Sequence, residues 1–216
     1  MSVTGFEQFA LLKYFHKGGP MMWPLLAISI VVIGMVIERI FHYYRVSINT
    51  PEFLKKIRTL LEAKRIKEAI TLCENYKGPI ASIMKAGLLK TGRSREEIET
   101  AIAASGGIEM SRLERGLAGL ATCSTIAPLL GFLGTVTGMI KSFEAIAAHG
   151  MNNPALVAVG ISEALITTAT GLIIGIPSMT FYNYFTAKVG KLVLEMEESS
   201  GLLMEYMDEL SKTTEA

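Results

Sequence analysis

Three stretches of the chain stay apolar long enough to cross a bilayer, and the polar residues gather between and after them. Residues 18–37, GGPMMWPLLAISIVVIGMVI, carry no charge and span about 30 Å as a helix, the thickness of a bilayer core. Residues 116–140, GLAGLATCSTIAPLLGFLGTVTGMI, are also uncharged and span roughly 37 Å. Residues 164–187, ALITTATGLIIGIPSMTFYNYFTA, make the third. A helix starting near Pro154 would run for about 50 Å, so it must tilt or protrude. The polar region between the first two spans is helical by pattern. Thr50-Pro51-Glu52 supplies a cap, a proline at the first helical position and an acid in the first turn. The pattern then breaks at Gly78-Pro79, and the next segment, PIASIMKAGLLKTG, ends at Gly92. Ser94 with Glu97 forms a capping box. From there the sequence predicts one long helix from about Arg95 to about Ala147, weakest at Gly106-Gly107. No strand pattern of any length is present.

The three spans differ in kind. Of residues 116–140, thirteen of twenty-five are Gly, Ala, Ser or Thr, and of residues 164–187, eleven of twenty-four. In 21–37 only Ala27, Ser29 and Gly34 are small or hydroxylated. Small-residue helices pack closely on other helices, and bulky aliphatic ones face lipid. The first span is therefore expected at the periphery and the other two inside. Ser124, Pro128, Gly131, Thr135, Gly138 and Ser142 recur at spacings of 4, 3, 4, 3 and 4, which places them on one face of the second span. Glu163, Thr167, Thr168, Gly171, Gly175 and Ser178 share one face of the third, opposite Leu165, Ile166, Leu172, Ile173 and Ile176.

Charge sets the orientation. With the N-terminus outside, the inner side holds fifteen Lys and Arg from Arg39 to Arg115, plus Lys188, Lys191 and Lys212. The outer side holds only Lys13, Lys17 and Lys141, a strong positive-inside bias. A net charge of +1 gives no bulk field for nucleic acid. Cys73 and Cys123 lie far apart and read as plain thiols. His16, His42 and His149 show no metal-ligand spacing. The first fifteen residues contain Glu7 and no compact positive cluster, so the start does not read as a cleaved signal peptide. It reads as an amphipathic helix at the interface. The chain is thus expected to be an all-α integral membrane protein with three transmembrane helices. Its expected divisions are an outer interfacial helix (1–17), span one (18–40), a cytoplasmic helical domain (41–115), span two (116–147), an outer loop (148–153), span three (154–187) and a cytoplasmic tail (188–216). The second and third helices would protrude into the cytoplasm.

The stretch GISEALITTATG, residues 160–171, puts Glu163 and three threonines inside a run made for lipid. A carboxylate there costs several kcal/mol or more unless water or a partner meets it. Two readings compete for the small and polar faces. One is tight helix packing, with hydroxyls bonded to their own backbone carbonyls. The other is a wet path or a cavity lined by a partner. Three spans enclose little volume, so a polar lumen needs a ring of subunits.

APLLGFLGTVTGMIKSF followed by GISEALITTATGLIIGIPSMTFYN resembles the MotA/TolQ/ExbB proton channel family. Three spans with a helical cytoplasmic domain after the first are similar to its ExbB/TolQ branch. The resemblance implies a bacterial inner-membrane channel subunit that uses the proton-motive force to do work on the periplasm or outer membrane. It implies a homo-pentamer around two copies of a single-span ExbD/TolR-like subunit, a TonB/TolA-like energy transducer as a further partner, and contact with membrane lipids. It implies no enzymatic activity, no catalytic residue, no metal and no cofactor. Carried onto this chain, the ion pathway would comprise Thr135, Glu163, Thr167 and Thr168, and Ser124, Pro128, Gly131, Gly138, Gly171 and Gly175 would face the pore or the partner. Thr137 stands where the branch usually has tryptophan, Thr167 where it has alanine and Thr170 where isoleucine is common. The Thr167-Thr168 pair is similar to sodium-type stators. The coupling ion is read as H+, with Na+ and a non-conducting scaffold as the alternatives.

Overall fold

The computed structural model describes residues 12–46, 50–150 and 153–215. Residues 12–17 are helical; the rest of the expected interfacial helix, 1–11, lies outside the described residues. Seven further helices follow: α1 (Met22–Val46), α2 (Thr50–Glu62), α3 (Ile66–Asn75), α4 (Pro79–Leu88), α5 (Arg95–Glu114), α6 (Leu117–His149) and α7 (Pro154–Glu215). No strand occurs among the described residues. Helices α1, α6 and α7 carry the three segments long and apolar enough to cross a membrane. Proline is tolerated within two of them, at Pro128 and Pro177.

Two expectations are corrected. The single helix expected from Arg95 to Ala147 is two helices, and its break is at Arg115-Gly116, not at Gly106-Gly107. Gly116 takes a left-handed backbone (φ 83°), which ends one helix and caps the next at little steric cost. Gly106 and Gly107 stay inside α5, where their lack of a side chain weakens a helix without breaking it. The first span begins at Met22 because residues 18–21 form a turn, in which Gly19 also has positive φ (68°). Elsewhere the local signals act as expected: Ser94 accepts a hydrogen bond from the backbone N–H of Glu97, and Pro79 opens α4.

The chain divides into two compact units. The first comprises residues up to Ile37 together with Gly116–Asn183. Here α1 buries a stripe that includes Met22, Leu25, Val32 and Val36 and leaves Trp23, Ile30 and Ile33 exposed. Met22, Leu25 and Ala127 form a core cluster on which Phe15, Ile28, Leu130, Ile166 and Ile174 pack. Helices α6 and α7 meet through their smallest residues. A Cβ on Gly171 would lie 2.6 Å from the carbonyl oxygen of Ala127 and 3.0 Å from Cα of Gly131. One on Gly138 would lie 2.6 Å from the carbonyl oxygen of Gly160. Two backbones this close leave room for nothing larger than glycine, which is the small-residue mode of association in membranes.

The second unit comprises Glu38–Arg115 and the residues from Tyr184 onward. Amphipathic α2 buries Phe53, Ile57 and Leu61, α3 buries Ala69 and Cys73, and α4 is buried along most of its length. Phe185, Leu192, Met196 and Leu203 of α7 complete the core. The Tyr43 hydroxyl donates to the Leu113 carbonyl at 2.8 Å. Thr50 donates to Glu195 at 3.0 Å, and Arg95 pairs with Asp208.

Candidate functional site

The site centres on Glu163 in the first unit. Its side chain is 10% exposed, and its Oε1 lies 2.6 Å from Nζ of Lys141, which is 47% exposed. The two residues belong to the last third of α6 and the first turns of α7, which the close glycine contacts bring together. Ser142, beside Lys141, donates to the carbonyl of Val157 at 3.0 Å and fixes the same end of the contact. The Gly18-Gly19 turn closes over the carboxylate: a Cβ on Gly19 would collide with Oε1 of Glu163, and one on Gly18 would lie 3.1 Å from Ile166. The turn covers the carboxylate without donating to it, and the cation of Lys141, from this same chain, is what makes the nearly buried charge tolerable.

The threonines expected to share the ion pathway do not reach this carboxylate. Thr167 is fully buried against Gly134, and its hydroxyl donates to the backbone carbonyls of Glu163 and Ala164 at 3.0 and 2.9 Å. Thr168 is half-buried and donates across the helix contact to the Gly131 carbonyl at 3.0 Å, and to Ala164 at 3.1 Å. Thr135 is half-buried and donates to the Phe132 carbonyl. Thr137 and Thr170 likewise donate to carbonyls of their own helices. Gly131 and Thr135 are one turn apart on α6. The reach of Thr168 to Gly131 thus puts Thr135 and Thr168 along one edge of the α6–α7 contact.

The residues expected to face a pore or partner lie largely within the α6–α7 contact of one chain. Ser124, Gly131, Gly138, Gly171 and Gly175 are buried, and the half-buried Pro128 packs on Gly175. Ser124 donates to the Ala121 carbonyl at 2.7 Å. The face running 124, 128, 131, 135, 138, 142 is turned slightly in the structure, so that Ala127 and Gly134 join the contact and Thr135 and Pro128 move to its edges. Much of what stays open on the membrane-spanning parts of these helices is apolar, including Leu129, Phe132 and Val136 on α6 and Leu165, Ile173 and Ile176 on α7.

Lys141, the counter-charge of Glu163, is a residue that sequence reasoning placed only as an outer-side charge. The signal was present: it is the one cation between Arg115 and Lys188, and Glu163 needed a counter-charge. Elsewhere in the chain, Cys73 is buried and Cys123 half-buried, and both are free thiols. Burial pushes the Cys73 thiol up to about 12.

The model of the MotA/TolQ/ExbB proton channel family matches residues 75–198. An ExbB homolog of Methanothermobacter thermautotrophicus is 32% identical over 188 residues, covering 87% of this chain and 67% of that protein. Biopolymer transport protein ExbB of Salmonella typhimurium is 28% identical over 186 residues, covering 76% of this chain and 75% of that protein. Tol-Pal system protein TolQ of Pseudomonas aeruginosa is 42% identical over 85 residues, covering 39% of this chain and 37% of that protein.

Proposed function

The chain belongs to the MotA/TolQ/ExbB proton channel family, and from that premise we propose that it is the channel subunit of an energy-coupling complex of the bacterial inner membrane. In this reading the N-terminus faces the periplasm and the second unit lies in the cytoplasm, as the lysine and arginine distribution supports. Five copies surround two helices of an ExbD/TolR-like partner, and proton flow through the assembly drives a TonB/TolA-like transducer. The exposed apolar faces of α6 and α7 supply the surfaces on which copies and partner helices pack.

The observation that carries this reading is Glu163, a carboxylate held inside an apolar span by a counter-charge that is itself half exposed. A pair with one wet end can open, so the carboxylate can exchange its lysine for water or a partner's group, as a proton path requires. Protons are favoured over sodium because of the threonines. A sodium ion needs several oxygens around one cavity. Thr167 has no exposed surface, and none of its hydrogen bonds points at the Glu163 carboxylate.

The test is flux. The chain is reconstituted with its ExbD/TolR-like partner in proteoliposomes carrying a lumenal pH dye, under an imposed potential. Acidification should occur without sodium, fall at least tenfold in Glu163→Gln, and fall in Thr135→Val with the assembly intact. Flux that persists in Glu163→Gln, or that stops when sodium is removed while the proton gradient is held, refutes the proposal.

A further inference from the structure

Just past the apolar run of α1 and at the end of the apolar run of α7, the second unit carries a cavity of about 580 Å³. Ile40, Tyr43 and Tyr44 wall it from α1, and Tyr184, Phe185 and Lys188 from α7. Its inner wall is fixed and apolar: Phe185 and Tyr43 are buried with ring centroids 5.4 Å apart, and the Tyr43 hydroxyl is committed to the Leu113 carbonyl. Its rim is open, with Tyr44 87% and Tyr184 61% exposed.

One cationic group at this wall, Lys188, has no counter-charge among the described residues, and Arg39, which lies behind Tyr43 and is paired with Glu38, leaves one edge unsatisfied. Lys188 forms no ion pair among the described residues, whereas Lys191, one turn on, lies 4.0 Å from Glu195. Arg39 is 5% exposed and lies against Tyr43. Its Nε and Nη2 engage Glu38, while its Nη1 is buried with no partner. A buried donor without a partner is costly, and it marks a place where an acceptor is missing. Tyrosines at the end of an apolar span mark the membrane–water boundary. A cation at that level on the inner side meets the phosphates of anionic lipids.

We infer that this cavity binds an anionic glycerophospholipid. The Lys188 ammonium takes the phosphate, Tyr44 and Tyr184 flank the glycerol, and the acyl chains lie along exposed Ile40 and Phe41. The assignment needs only that α1 and α7 cross a bilayer, and it is independent of the ion pathway. The inner leaflet follows from the positive-inside orientation.

Native mass spectrometry of the full chain in mild detergent tests this, with phosphatidylglycerol, phosphatidylcholine or inorganic phosphate added. Wild type should retain phosphatidylglycerol about five-fold over phosphatidylcholine, as expected for one lysine at an anionic surface. Inorganic phosphate at equal concentration should leave that retention unchanged. Lys188→Gln should lose the preference, Tyr184→Ala should weaken it, and Lys188→Arg and Lys191→Gln should keep it. Equal retention of the two lipids by wild type, or an unchanged preference in Lys188→Gln, overturns the inference. Displacement by inorganic phosphate overturns it in favour of a free-anion site. A subunit count that changes in Lys188→Gln while lipid retention does not overturns it in favour of a contact between copies.

Discussion

Removing the lysine should cost more than removing the carboxylate. In Lys141→Met the Glu163 side chain, 10% exposed, loses its counter-ion. Breaking a fully buried pair from one side costs about 3–5 kcal/mol, and an exposed pair is worth about 0–1 kcal/mol. Lys141 is 47% exposed, so the pair falls between these limits. An orphaned, nearly buried carboxylate puts Lys141→Met at about 2 kcal/mol. In Glu163→Gln the amide keeps the volume and still accepts from the ammonium, while the half-exposed lysine is solvated on its own. That change should cost about 0.5 kcal/mol. The double variant should lie close to Glu163→Gln, giving a coupling of about 2 kcal/mol. The assay is SDS-induced unfolding in mixed micelles, followed by far-UV circular dichroism at one protein concentration, because assembly shifts apparent stability by mass action. A Lys141→Met variant no less stable than Glu163→Gln would refute the reasoning. It would mean that water, not Lys141, already satisfies the carboxylate.

Glycine contacts and the Cys73 thiol set the remaining outcomes. Gly171→Ala should destabilise by about 1–3 kcal/mol, since its Cβ meets the backbone of α6 at 2.6 Å. Gly106→Ala, with nothing within 4 Å, should stabilise α5 by up to about 1 kcal/mol; both are read in the same unfolding titration. Gly92→Ala should cost only the left-handed backbone term, about 1 kcal/mol, because nothing lies near its Cβ. Gly19→Ala, with φ 68° and Glu163 in the way, should cost clearly more. Cys73, raised to about 12 by burial, should resist iodoacetamide up to pH 9 and react once the second unit unfolds, as followed by intact mass. The folded thiol binds its proton more tightly than the unfolded one. Its contribution to stability is therefore complete below about 8.5 and is lost as pH climbs from there toward 12.

The spans and most helix ends were legible because they rest on local rules. A bilayer's thickness selects apolar runs, and Ser94, Pro79 and Gly92 act within a turn of themselves. The break at Gly116 was not legible for a related reason. Every glycine offers a left-handed backbone, and the doublet at Gly106-Gly107 was the louder signal, whereas the helix ends where the compact unit ends. At the site, the oddity of Glu163 was plain from hydropathy alone. Its partner was not, because the pairing depends on the register with which Gly138 seats against Gly160. A shift of one turn would carry Lys141 away. The roles of Thr167 and Thr168 were hidden similarly. Facing the same side as Glu163 on a helical wheel does not say whether a hydroxyl looks into a lumen or back at a carbonyl.

The Lys141–Glu163 pair also bears on how the protein enters the membrane. Each partner alone would burden its helix during insertion, by about 2.5–3.5 kcal/mol at the bilayer centre and less toward its edge. The two helices are neighbours in sequence, and their charges are opposite and in contact. Leaving the translocon together, they present lipid with a neutral hairpin; leaving singly, each presents an uncompensated charge. The second and third spans therefore cost less to insert as a pair than one at a time.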